Sequence, residues 1–202
     1  MPDHSRWTVV PGSRGFTLVE ILLVVSILVV LFAMALPVTS EAIDALRTQG
    51  AARYLAARIV HGRMQAITRS TIVGLRFVGA GNGDYSYRPY IDGNRNGIRT
   101  ADITRGTDLP LAAAERVGDN FGGVVFGLMP GVPDADGLQN TGTDGVRIGS
   151  ARILTTSPDG TATAGTLYIH GKHAQYAIRV LGPTGRVRVM QFQQGDRKWT
   201  NR

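Results

Sequence analysis

The chain has 202 residues, of which 43% are hydrophobic. This size and composition allow one globular domain with an accessory segment, and they exclude a disordered chain or a multi-span membrane protein. The absence of cysteine excludes disulfide bonds and thiolate metal sites. The formal charge is +7, and the excess of basic residues lies in residues 38–79 and in residues 170–202.

The N-terminus has a polar, basic segment followed by a long apolar run. The segment MPDHSRWTVVPGSRG precedes the run, which extends from Phe16 to Leu36. As a helix this run is about 31 Å long, enough to cross a membrane and longer than the apolar core of a secretory signal peptide. Pro37 ends the run, where we expect it to kink a continuing helix. Arg6 and Arg14 favour a cytoplasmic N-terminus, and an ordinary signal anchor is an alternative explanation.

Glu20 is the single charged residue of the apolar run. A carboxylate inside a membrane span costs at least about 2.5 kcal/mol, so its presence indicates a partner. Glu20 lies one helical turn after Phe16, and cleavage between Gly15 and Phe16 would create an α-amino group at the start of the helix. Glu20 of one subunit would then neutralise that amine on a neighbour. Alternatively, the carboxylate snorkels to the membrane surface.

The residues Arg14-Gly15-Phe16-Thr17-Leu18-Val19-Glu20 resemble the prepilin peptidase recognition motif of type IV pilins and type II secretion pseudopilins. The resemblance implies peptidase cleavage after Gly15, N-methylation of Phe16 and a role for Glu20 in filament assembly. Pro37 is similar to the helix-kinking proline of this family. The implied partners are the prepilin peptidase, other pilins or pseudopilins through the N-terminal helix, and the inner-membrane assembly platform.

These features divide the chain into four parts. We expect a leader peptide over residues 1–15, a transmembrane helix over 16–37, an amphipathic continuation of the helix over 38–70 and a periplasmic β domain over 71–202. The protein would be a single-pass component of the bacterial inner membrane with a cytoplasmic N-terminus, and it would be incorporated into a pilus or pseudopilus.

Residues 41–70 have helical spacing of their apolar side chains. Thr39 or Ser40 is suited to cap a renewed helix there. The predicted apolar stripe consists of Ala56, Val60, Met64 and Ile67, with Leu55 and Ile59 beside it. We expect this stripe to cover a sheet. Gly50 and Gly62 lower the helix propensity and mark either a bend or a place of close packing.

The remainder of the chain has β-strand patterns. The predicted strands are Thr71–Val78, Tyr85–Ile91, Gly123–Leu128, Gly165–His170, Gln175–Leu181 and Arg186–Phe192. The last three alternate well and are separated by turn residues, so they predict an antiparallel meander. The glycine-rich residues 118–149 are acidic and give no clear prediction of structure.

A second resemblance covers most of the chain. The segments AARIVHGRMQAITRS, DGNRNG, SPDGTATAGTLYI and GRVR together resemble the GspH/FimT family of minor pseudopilins. This resemblance implies an α+β fold in which the long N-terminal helix, with a transmembrane half and an amphipathic half, packs on a C-terminal antiparallel β domain of two sheets.

Two acidic segments are candidates for metal binding. Asp92, Asn94 and Asn96 place oxygen atoms at alternate positions before Gly97, as calcium loops do. The twelfth position, where a calcium loop has an acid, is Ile103, and a turn stabilised by Asx side chains explains the same residues. We therefore expect a turn and no metal. The second segment, containing Asp134, Asp136 and Asp144, is a weaker candidate still.

The C-terminal arginines are a candidate DNA-binding surface. Arg186 and Arg188 alternate on a strand, so they project from one face, and Arg179, Arg197, Lys198 and Arg202 are able to join them. Such an array favours phosphates, and Trp199 or Tyr176 would add base stacking. Gly185-Arg186-Val187-Arg188 also matches a Gly-Arg-x-Arg element that is associated with DNA binding in the DNA-uptake branch of the family. Alternatively, these residues form a solvated strand face that prevents edge pairing.

No catalytic constellation is present in the sequence. His61, His170 and His173 are not spaced as a metal set, and Ser157 and Asp159 belong to a Pro-Asp-Gly turn. We therefore expect neither enzymatic activity nor a cofactor. The first functional hypothesis is a minor pseudopilin of a type II secretion pseudopilus or a type IV pilus. The alternative is a FimT-like minor pilin that binds DNA for natural transformation.

Overall fold

The structure is a computed structural model that describes residues 15–137 and 142–202, with the backbone alone for residues 34–38. It consists of two compact units, one ending at Ser40 and the other formed by Glu41–Arg202. Most of the predicted leader and residues 138–141 of the glycine-rich region lie outside the described residues. The side chain of Pro37, the residue at which a kink was predicted, also lies outside the described residues.

Helix α1 (Leu18–Arg69) begins directly after Thr17. Between Leu18 and Phe32 the large apolar side chains of α1 contact little of the rest of the chain. Their exposed fractions range from 45% at Leu28 to 76% at Leu18. Among the residues whose side chains are described, no helix is both long and apolar enough to cross a membrane.

The second part of α1 packs on the β-sheets through a different face from the predicted one. Its buried residues are Thr48, Ala51, Ala52, Leu55, Ile59 and Ala66. The predicted stripe was wrong at Val60, Met64 and Ile67, which are 47%, 54% and 42% exposed, whereas Leu55 and Ile59, predicted beside it, are buried. Two apolar stripes lie side by side on this helix, and the one rich in alanine allows the closer approach to the sheets. Leu55 and Ile59 supply the large buried side chains, each worth about 1.5–3 kcal/mol when fully buried.

Two antiparallel sheets follow the helix. The strands are β1 (Val73–Gly81), β2 (Asp84–Ile91), β3 (Leu109–Pro110), β4 (Glu115–Arg116), β5 (Val125–Phe126), β6 (Val146–Arg147), β7 (Ile153–Thr156), β8 (Gly165–His170), β9 (Gln175–Leu181), β10 (Arg186–Gln193) and β11 (Lys198–Asn201). The first sheet has the order β3-β2-β1-β7, and β4 also pairs with β2. The second has the order β11-β10-β9-β8-β5, and β6 also pairs with β8.

Short helices connect some of these strands. They are α2 (Thr100–Arg105), α3 (Val117–Asn120) and a 3₁₀ turn, Gly182–Thr184, between β9 and β10. The predicted meander of β8, β9 and β10 is confirmed, with each pair antiparallel.

The main core lies between α1 and the inner faces of the two sheets. Its aromatic centre contains Phe77, Tyr85, Tyr87 and Phe126, whose rings meet mostly edge to face at centroid distances of 5.9 to 6.4 Å. A second cluster lies on the outer face of the second sheet, where Leu128 and Val132 cover Tyr168, Ala177 and Phe192. Because both faces are covered, β8 and β9 are buried nearly throughout. The fold is α+β, a helix packed on antiparallel sheets, as predicted.

Candidate functional site

The predicted cleavage site precedes the helix. Gly15 and Phe16 lie outside any helix or strand, and Phe16 is 77% exposed. Thr17 caps α1, because its Oγ1 accepts the backbone N–H of Glu20 at 3.2 Å. Glu20 is exposed in the first turn, where the helix dipole favours a negative charge. The role of Thr17 was missed, although the Thr-x-x-Glu pattern of a capping box was present in the sequence.

Three arginines lie in one row across the second sheet. Arg147 on β6 is opposite Thr166 on β8, Thr166 is opposite Arg179 on β9, and Arg179 is opposite Arg188 on β10. Directly opposed residues project from the same face, so these side chains share the outer face. Arg186 lies two residues before Arg188 and joins them there. We call Arg147, Arg179, Arg186 and Arg188 the arginine row.

Two members of the arginine row have acidic partners. The Arg179 guanidinium donates to Asp136 Oδ1 at 2.7 Å, and Arg147 lies 3.4 Å from Asp134 Oδ2. Arg186 and Arg188 are exposed and form no ion pair with any of the residues that the structure describes. The row therefore contains both neutralised and open positive charges.

The other residues predicted for the DNA surface are not gathered with the row. Arg197 donates to the Gly131 carbonyl at 3.2 Å. The pairing of β10 with β11 places Trp199 on the outer face with Phe192, so Lys198 lies on the other face of the sheet. Trp199 packs on Tyr168 and Phe192, and its indole N–H donates to the Pro133 carbonyl at 3.1 Å. Tyr176 is buried in the main core at 2% exposure, so the base stacking suggested for it was wrong.

The first candidate metal segment is closed by backbone hydrogen bonds. Asp92 is buried, and its carboxylate accepts the backbone N–H groups of Asn94, Arg95 and Gly97 at 3.1, 2.7 and 2.7 Å. Asp108 accepts those of Gly93 and Arg99. This is the geometry of an Asx turn. In the part of the chain that the structure describes, no group of three histidine or acidic side chains is placed to hold a metal ion.

Asp144, from the second acidic segment, holds its loop through three hydrogen bonds to its carboxylate. It accepts the Tyr85 hydroxyl at 2.7 Å and the Val146 N–H at 3.0 Å, and its other oxygen pairs with Arg152 at 2.8 Å. Burial alone would raise the pKa of Asp144. The hydrogen bonds from Val146 and Tyr85, together with the Arg152 charge, outweigh burial and leave this pKa below its usual value.

A partly buried polar cluster between α1 and the first sheet was also missed. The Glu115 carboxylate pairs with Arg58 and accepts the hydroxyl groups of Tyr54 and Tyr87. Burial raises the pKa of Tyr87, so its hydroxyl remains a donor. A cavity of about 150 Å³ lies beside the cluster, with Gly62 in its wall. Glu115 comes more than fifty residues after its helical partners, and no local sequence signal pairs them.

The three histidines named from the sequence are not brought together. His61 lines the cavity beside Glu115, whereas the ring of His170 hydrogen-bonds to the Gly171 carbonyl at 2.7 Å. His173 engages α1 through its backbone N–H, which donates to Asp44 at 2.8 Å. The three histidines therefore do not form a common site.

Comparison with known proteins agrees with the N-terminal features. Residues 11–36 match the model of the prokaryotic N-terminal methylation motif. The motif and a curated relative together support a type IV pilin-like protein, a structural class without enzymatic activity. That relative is the Pilin-like protein PilA1 of Thermus thermophilus, which is 42% identical to the chain over 83 residues. The match covers 41% of this chain and 51% of PilA1, so the chain spans about half of its relative. No solved structure matches the chain.

Proposed function

We propose that the protein is a minor pseudopilin of the GspH/FimT type, a structural component of a type II secretion pseudopilus or of a type IV pilus. The observation that carries this proposal is the start of α1. An exposed Gly15–Phe16 bond precedes a capped helix, and Glu20 lies in its first turn. Cleavage there frees an α-amino group one turn from Glu20, so that parallel helices of neighbouring subunits form an intermolecular ion pair.

The exposed apolar side chains of α1 support the same function. Side chains that are about half exposed or more between Phe16 and Phe32 would be unfavourable in water, so a lipid or a neighbouring helix must cover them. In the proposal, residues 16–37 cross the inner membrane with the N-terminus in the cytoplasm. The unit from Glu41 onward is periplasmic and has its own core. The partners are the prepilin peptidase, other pilins or pseudopilins, and the assembly platform.

Mass spectrometry of the protein from cells with an active prepilin peptidase tests the processing step. We expect a mature chain that begins with N-methylated Phe16, and recovery of the intact leader would contradict the proposal. A Glu20→Gln variant should still be cleaved, yet be lost from sheared filaments. Ser26→Ala removes a hydroxyl that donates to the Leu22 carbonyl of the same helix, and this variant should be incorporated normally.

A second function, DNA binding for natural transformation, is supported by the arginine row. Arg186 and Arg188 are exposed, adjacent on one face and free of ion pairs with the described residues, which suits contact with successive phosphates. The full chain in nonionic detergent should retard duplex DNA in a salt-dependent manner, and replacing both arginines with alanine should weaken binding. Unchanged retardation by the double variant would contradict this site.

A further inference from the structure

Arg179 and Arg188 lie directly opposite each other on β9 and β10. Like charges at directly opposed positions of a sheet repel each other, so a nearby anion stabilises the pair. Asp136 supplies one, because its carboxylate accepts a hydrogen bond from Arg179 at 2.7 Å. A phosphate placed between the two guanidinium groups would supply the same charge. A phosphate at that position would meet an Arg179 guanidinium that already has an acidic partner.

The contacts of Arg179 show the direction in which Asp136 draws it. Its Nε lies 3.4 Å from the Thr166 hydroxyl on β8, and β8 is on the side of β9 away from Arg188 on β10. The Arg179 side chain is 24% exposed, whereas its partner Asp136 is 63% exposed. Arg179 thus contacts a residue on the side away from the open arginines, and solvent reaches its acidic partner easily.

The acidic segment is held over the sheet by contacts that do not involve the Asp136 carboxylate. The Ala135 N–H donates to the Tyr168 hydroxyl at 3.0 Å, and the Trp199 indole donates to the Pro133 carbonyl at 3.1 Å. Val132 is buried in the outer cluster. Asp136 therefore stays beside Arg179 without depending on the ion pair for its position. An open groove of about 510 Å³ adjoins Arg147, Arg179, Asp134 and Asp136 on the β8 side of Arg179, so solvent and ions reach this ion pair.

We propose that Asp136 limits the affinity of the arginine row for nucleic acid phosphates by occupying Arg179. This inference rests on the second proposed function, DNA binding through Arg186 and Arg188. Removing the Asp136 charge frees Arg179 to join Arg188, so the row gains one phosphate contact. Asp136 is suited to this test because it is mostly exposed, whereas the side chain of Asp134 is only 12% exposed.

The test measures binding of a fluorescein-labelled 30-base-pair duplex to the full chain in nonionic detergent, at several salt concentrations. The Asp136→Asn variant should bind roughly threefold to tenfold more tightly than the wild type at low salt. The slope of log K against log salt should steepen by about 0.9, the value for one added phosphate contact. The Asp136→Asn/Arg179→Ala double variant should lose this gain.

Asp119→Asn is the matched control, since it removes the same charge from an exposed position on α3. An equal gain in both single variants would mean a general charge effect and would overturn the inference. If the wild type binds through Arg186 and Arg188 and Asp136→Asn binds equally well, the inference fails while the DNA-binding function stands. If neither protein binds, both fail. Binding by Asp136→Asn alone would support the inference and count against DNA binding by the wild type.

Discussion

The Asp44 carboxylate on α1 accepts the backbone N–H of His173 at 2.8 Å, and it thereby ties the turn between β8 and β9 to the helix. The same carboxylate accepts the Lys172 N–H at 3.0 Å. Replacing Asp44 with alanine should lower the free energy of unfolding by about 1–2 kcal/mol, since two charge-assisted hydrogen bonds are lost in a partly exposed turn. Chemical denaturation of the full chain in detergent, followed by near-ultraviolet circular dichroism, measures the change.

Glu41→Ala is the control for Asp44→Ala. Glu41 lies three residues earlier on the same helix and is exposed, so its loss should change the stability little. Equal effects of the two substitutions would show that the tie is unimportant. Gly171→Ala should reproduce the larger loss, because a Cβ there would collide with the Asp44 carboxylate and the Thr48 hydroxyl.

Gly50 and Gly62 in α1 should respond differently to alanine. A Cβ on Gly62 would meet only Val73 Cγ1, at an ordinary 3.9 Å, beside the cavity. Gly62→Ala should therefore stabilise the protein by about 0.5–1 kcal/mol, the helix-propensity difference. A Cβ on Gly50 would lie 3.0 Å from the Phe121 ring, which must then shift. Gly50→Ala should give a smaller gain or a loss, and a larger gain than Gly62→Ala would contradict this packing.

Acid should remove the contribution of Asp144. Its folded pKa lies below the usual value, so its stabilising effect is present above the unfolded pKa of about 3.9 and is lost as the pH falls through the folded pKa. The difference in unfolding free energy between the wild type and Asp144→Asn should be constant from about pH 7 to pH 5 and shrink below about pH 4. A difference that grows on acidification would contradict the assigned contacts.

Calcium should not stabilise the Asp92 turn. If the turn bound calcium with a Kd of about 10 μM, 1 mM calcium would add about 2.7 kcal/mol, a clear rise in Tm. We expect no change, because backbone N–H groups already occupy the Asp92 carboxylate. Asp92→Asn should destabilise less than Asp92→Ala, since the amide keeps one acceptor oxygen. A calcium-dependent Tm that Asp92→Ala abolishes would contradict the turn.

Thr17 should control the fraying of the first turn of α1. Thr17→Val removes the hydroxyl that caps the Glu20 N–H and should cost about 1 kcal/mol locally, or a roughly fivefold faster amide exchange at Glu20. Thr17→Ser keeps the hydroxyl and should exchange as the wild type does. Hydrogen exchange by nuclear magnetic resonance in detergent micelles distinguishes these outcomes, and equal rates in all three proteins would exclude the cap.

Regular local patterns explain which parts of this fold were predictable. Strands β8, β9 and β10 alternate over six to eight residues and end at turn residues, so they were found nearly to the residue. Strands β3, β4 and β6 contain two residues each, too few for any alternation, and they form only because a longer strand is already there to pair with.

The choice of buried face and the ion-pair partners required tertiary information. Both apolar stripes of α1 satisfy the helical period, and only the approach of the sheets selects the one containing Ala51 and Ala52. The alternation of Arg186 and Arg188 correctly predicted a shared face. Asp136 lies 43 residues from Arg179 in sequence, and its pairing depends on how residues 128–136 fold across the sheet.

The seating of Trp199 against Pro133 gives the mature protein an intrinsic optical reporter. The chain has two tryptophans, Trp7 and Trp199, and the proposed cleavage after Gly15 would remove the first. The remaining indole packs against the rings of Tyr168 and Phe192, and it donates to the carbonyl of Pro133 in the segment that carries Asp136. Its emission wavelength should therefore report, without any added label, whether that segment stays seated or lifts from the sheet when a polyanion binds.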